Sequence, residues 1–199
     1  GQFKEIGRTV TILCMLVGVG TFAVSALAPD LVRILATEEY MEAIWIIAPV
    51  SASVFFIFIY MVFANVEMYY DENSGISVIS IVCSVLNIVL NMIFIPRYGY
   101  FAAGWTTLVS YMVLTLLHFI LMKRACRRRK IPGRVFQEKT LLGICIGVVV
   151  LAFAAMGLYR LQYYRYTALV LMLVILFVCR KKLIPVVRQM AKGGTRDGN

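Results

Sequence analysis

Six runs of about 20 mostly apolar residues follow one another along this chain, each long enough to cross a bilayer as an α-helix. They lie at 9–28, 43–64, 75–94, 105–122, 140–159 and 166–184. No soluble core of 199 residues absorbs them. Hydrophobic residues make up 61% of the chain and charged ones 15%, against roughly a half and a quarter in ordinary soluble domains. The excess demands an apolar solvent outside the fold as well as a core inside it. The runs are continuous, whereas membrane strands alternate over about ten residues. The expected fold is therefore all-α: a polytopic membrane helix bundle of about six transmembrane helices.

The connections carry the orientation. Residues 29–42, PDLVRILATEEYME, read as a short amphipathic interfacial helix, and 96–100 as a tight Pro–Gly turn. The net charge of +10 comes from basic residues gathered in the gaps between apolar runs. This placement points to anionic lipid and membrane orientation rather than to nucleic acid. With the N-terminus inside, Lys4, Arg8, eight residues in 123–139 and six from Arg180 onward total 16 inside. Only Arg33, Arg97, Arg160 and Arg165, four residues, lie outside. Positive charge collects on the cytoplasmic side, so both ends are expected there, with 185–199 as a basic cytoplasmic tail. The chain opens on GQFKEIGRTV with no signal-peptide pattern, and the missing initiator Met leads us to expect a piece of a longer protein.

Polar residues inside the apolar runs are the candidate functional groups. At 100° per residue, Ser77, Ser80, Ser84, Asn87 and Asn91 fall within an arc of about 80° on the third run. Thr107, Tyr111, Thr115 and His118 do the same on the fourth. Two stripes joined by a tight turn either pack their helices together or line one cavity for a hydroxyl-rich ligand. His118, the sole histidine, and Glu67 are candidates for proton coupling. Their bland alternatives are an interfacial hydrogen bond and, with Asp71 and Glu72, a solvated acidic loop. Arg160 and Arg165 stand among tyrosines at the outer face, either as an interfacial belt or as an anion contact. Gly143 and Gly147 form a G-x-x-x-G that permits close helix approach, and Pro49 is expected to kink the second helix.

Catalytic patterns are missing: the sequence offers no Ser-His-Asp arrangement and no Walker-type loop, so an enzyme is not expected. The five cysteines are widely spaced without C-x-x-C, so neither metal nor disulfide framework is expected, and no cofactor is implied. Four lie in apolar runs as packing residues. Cys126 lies in the basic loop, as a free thiol or a lipidation site.

The stretch SVLNIVLNMIFIPRYGYFAAGWTTLVSY resembles the signature region of the bacterial polysaccharide flippases. These form the Wzx-like, or polysaccharide-transport, family of the multidrug/oligosaccharidyl-lipid/polysaccharide exporter superfamily. The resemblance rests on Asn87, Asn91, Ile95, Pro96, Tyr98, Gly99, Ala102, Ala103, Thr107, Ser110 and Tyr111, and extends back to Ala28 through APDLVRILATEEYMEAIWIIAPV. It implies the C-terminal six-helix lobe of a twelve-helix, two-lobe transporter, whose N-terminal lobe would be its partner. It also implies that lipid-linked oligosaccharide is flipped across the bacterial inner membrane by alternating access. Alternatives are a multidrug or murein-precursor exporter of the same superfamily, an integral-membrane glycan-modifying enzyme, or a non-transporting scaffold subunit.

Overall fold

A computed structural model describes residues 2–36, 38–129 and 136–193, with backbone only for 2–5, 38, 73 and 179–193. Six α-helices account for nearly all of it: α1 (Gln2–Leu35), α2 (Ile44–Tyr69), α3 (Asn73–Tyr98), α4 (Phe101–Arg128), α5 (Glu138–Gly157) and α6 (Gln162–Gly193). A 3₁₀ helix, Glu38–Ala43, joins α1 to α2. No strand occurs among the described residues, so the chain is an all-α bundle. Helices α1 to α5 are each long and apolar enough to span a membrane, and α6 adds a shorter apolar stretch, Gln162–Val178. A helix satisfies its backbone groups internally, which is why such sequences fold this way in lipid. The chain is thus a membrane-embedded helical protein. Its large exposed side chains, among them Ile81, Val85, Ile88 and Met92 on α3, are apolar because lipid is their solvent.

Helix α2 is the hub, packing against α1, α4 and α5, while α3 leans mainly on α4 and α6 on α1. Short connections make successive neighbours antiparallel, so one end of the bundle carries Lys123 to Arg129 and the other the α1–α2, α3–α4 and α5–α6 junctions. Phe55, Phe56, Ile59 and Phe63 of α2 form the centre of the core with Cys14, Leu108, Leu141 and Val148. Close approach of α4 to α2 depends on Gly104, where a Cβ would lie 2.7 Å from Ile46 and 3.3 Å from Pro49. Gly143 and Gly147, the expected close-approach pair, face open space instead. Small residues permit proximity, but the partner helix decides where it happens.

Most helices run several residues beyond the expected spans, α4 to Arg128 and α6 to Gly193 among them, and two of them carry a proline inside that was expected in a connection. Helix α1 continues through Pro29 to Leu35, absorbing the first half of the expected interfacial segment. Proline lacks the N–H that would bond the carbonyl four residues back, here that of Ser25. The Tyr159 hydroxyl donates to that carbonyl at 3.0 Å and supplies the missing donor. Helix α3 similarly runs through Pro96 to Tyr98 and stops at Gly99, whose φ of +67° ends the helix where a side chain would be strained. Tyr100 then donates to Glu42 at 3.3 Å, tying the α3–α4 turn to the 3₁₀ helix. Local desolvation, then the Glu42 carboxylate, pushes the Tyr100 hydroxyl up from its ordinary value. Pro49 sits buried in the second turn of α2, with its carbonyl accepting from the Ser53 hydroxyl at 2.8 Å.

Candidate functional site

The most demanding polar group in the fold is an ion-pairing couple with no access to solvent. Glu67 in the last turn of α2 and His118 on α4 are both fully buried, with His118 Nδ1 2.7 Å from Glu67 Oε2. Burying either alone is expensive, and a carboxylate at a helix C-terminus meets the negative end of the helix dipole as well. The contact between them offsets part of both penalties. His118 lies five residues before Lys123, so the pair sits about 7.5 Å inside the basic end of the bundle. The Tyr60 ring covers the imidazole at 5.4 Å and stacks with Tyr111 at 6.4 Å. Glu67 Oε1 and His118 Nε2 have no hydrogen-bond partner among the described residues. One carboxylate oxygen and one ring nitrogen thus stand outside the existing bond.

Of the three acids read together from sequence, only Glu67 turns inward. Glu72 pairs with Arg128 at 3.1 Å, and Asp71 is exposed in the α2–α3 turn at φ +62°, a conformation that Asp tolerates.

A second polar array joins α3 to α4. Asn87 Nδ2 donates to Ser110 Oγ at 3.2 Å, and Asn91 Nδ2 donates to Asn87 Oδ1 at 3.1 Å. The Thr106 hydroxyl donates to Asn91 Oδ1, and Ser110 in turn donates to the Thr106 carbonyl at 2.8 Å. Ser80 and Ser84 bond the carbonyls of Ile76 and Ser80 within their own helix, at 2.9 and 2.8 Å.

The two sequence stripes therefore meet different partners. The asparagines face Thr106 and Ser110 rather than the expected Thr107, which is half-buried, and Tyr111. Thr115 and His118 face α2 instead, with Thr115 Oγ1 donating to the Phe56 carbonyl at 3.1 Å. Sequence reasoning missed Thr106 because neighbouring threonines differ by 100° on a helix, and only the position of α3 selects between them.

At the opposite end, Arg165 is buried and donates to both carboxylate oxygens of Asp30, at 3.0 and 2.8 Å. Tyr166 adds a third bond to Asp30 at 2.8 Å, fastening α6 to α1. Of the two arginines read as outer anion contacts, Arg160 is exposed and Arg165 is already engaged by a carboxylate. No cluster of three or more potential metal ligands occurs among the described residues. No protein-family model, curated protein or solved structure matches the chain.

Proposed function

We propose that the chain is the C-terminal lobe of a transporter that flips lipid-linked oligosaccharide across the bacterial inner membrane, with its basic end in the cytoplasm. The buried Glu67–His118 couple carries this reading. An ionisable pair enclosed between two membrane helices and holding two unused polar atoms costs stability, and in membrane proteins such groups mark ion and substrate pathways. Helix α4 bonds α2 through Thr115 and His118 and bonds α3 through Thr106 and Ser110. A change of proton occupancy between α2 and α4 therefore bears on the position of α3, and this supports alternating access.

The cargo follows from the resemblance of 28–111 to polysaccharide flippases. The charge bias of 16 to 4 supports the orientation. In the flipping lobe the Asn87–Asn91 amides present part of their donor capacity beside the bonds they already make, which suits a sugar with many hydroxyls.

The test reconstitutes the full-length protein in vesicles with a fluorescent lipid-linked oligosaccharide in one leaflet. Transfer to the other leaflet should exceed that in protein-free vesicles, and Glu67→Gln should remove its acceleration by a pH gradient. Transfer at the protein-free rate would refute the reading.

A further inference from the structure

Helices α4 and α5 both pack on α2 or its neighbours but barely touch each other, so a groove opens between them. Its volume is about 890 Å³, at the upper end of the range for small-molecule sites. Phe56, Ile59 and Phe63 form the floor, with Leu116 on one wall and Ile146 and Val150 on the other. At the far end Trp105 stacks on Phe153 at 5.0 Å, bridging the two helices. From Lys139 to Val150 the groove follows α5 for about 16 Å, close to one leaflet of a bilayer whose core is roughly 30 Å thick.

Within the groove the chemistry is one-sided. The Thr115 hydroxyl is spent on the Phe56 carbonyl, which leaves the weakly polar Cys145 thiol as the one such group among the described lining residues away from the basic mouth. One thiol gives water or a sugar too few partners to hold it there. The mouth is different. Lys139 is exposed and has no ion-pair partner among the described residues. Lys123 shares Glu138 at 3.0 Å and lies over the Phe119 ring at 5.2 Å. Two cations against one carboxylate leave a net charge of +1 among the described residues at the open end of an apolar slot.

We infer that this groove is a binding site for an anionic phospholipid, with acyl chain lying on Phe56, Ile59 and Phe63 and phosphate held by Lys139 and Lys123. The complementarity is of two kinds in one direction: an apolar slot of leaflet depth, capped by uncompensated positive charge at the headgroup level. The site does not depend on the proposed cargo, because any membrane with anionic lipid supplies its ligand.

The test uses the full chain with Trp45→Phe and Trp105→Phe, and an indole introduced by Leu116→Trp in the groove wall. Circular dichroism checks that the helices are retained. The chain is placed in phosphatidylcholine vesicles in which either the phosphatidylcholine or an added phosphatidylglycerol carries brominated acyl chains. The introduced indole should be quenched preferentially by brominated phosphatidylglycerol. Lys123→Ala with Lys139→Ala should lower that preference about thirty-fold, since each basic residue contributes about five-fold to the headgroup attraction. Equal quenching by the two lipids, or a preference unchanged by removing both lysines, would overturn the proposal. So would an indole that neither lipid quenches, because the groove would then be covered by protein.

Discussion

Tyr159→Phe isolates a single hydrogen bond whose value follows from a proline 130 positions earlier in the chain. Pro29 deprives the Ser25 carbonyl of its helical donor, and the Tyr159 hydroxyl replaces it at 3.0 Å. Ser25 is fully buried and Tyr159 is 9% exposed, so water does not take over when the hydroxyl is removed. A buried carbonyl left without a partner costs about 1–3 kcal/mol. For a chain of this size that corresponds to roughly 2–12 °C in Tm. Pro29→Ala restores the backbone N–H and makes the tyrosine hydroxyl redundant. In that background Tyr159→Phe should cost no more than about 0.5 kcal/mol, giving a coupling energy of about 1–2 kcal/mol between two residues linked through one carbonyl. The measurement is reversible unfolding of the four chains in mixed micelles, followed by circular dichroism, because Trp45 packs on Tyr159 at 5.4 Å and its fluorescence would respond to the substitution itself. An equal cost of Tyr159→Phe in both backgrounds would show that the hydroxyl does not stand in for the proline's missing donor.

The remaining predictions concern the same long-range contacts. His118→Ala should destabilise by about 3–5 kcal/mol because it strands a buried carboxyl, whereas replacing Glu67 and His118 together by Leu and Phe should cost far less; additive losses in the same unfolding assay would disprove the pairing. Gly104→Val should lower the yield of folded protein in detergent, since its side chain meets Ile46 and Pro49, while Gly147→Val should be tolerated because nothing lies within 4 Å there. Arg165→Ala should loosen α6 and speed proteolysis at the α5–α6 junction, with Arg160→Ala without effect on the same digest. Asn87→Ala with Asn91→Ala should weaken α3 against α4 by about 1–2 kcal/mol and reduce cargo transfer by the full-length protein; undiminished transfer would remove both residues from the pathway.

The all-α architecture, the six helices and the concentration of positive charge at one end of the bundle could be read from the chain alone. Each is a property of contiguous residues: apolar length sets the element, and lipid forces every such element to satisfy its own backbone. Faces and partners are another matter. Glu67 and His118 lie 51 residues apart, Ser25 and Tyr159 134, and Asp30 and Arg165 135. Nothing local distinguishes Glu67 from Asp71 and Glu72, or Thr106 from Thr107, until α4 is placed beside α2 and α3. Pro29 shows the same limit, since a proline that ends a helix by local rules is carried inside one by a hydroxyl from another element. Between membrane helices the hydrophobic effect supplies little preference for one face over another, and the choice falls to close packing at small residues and to polar groups that find partners. Those depend on the neighbouring helix as much as on the helix itself, which is why only the tertiary structure decided them.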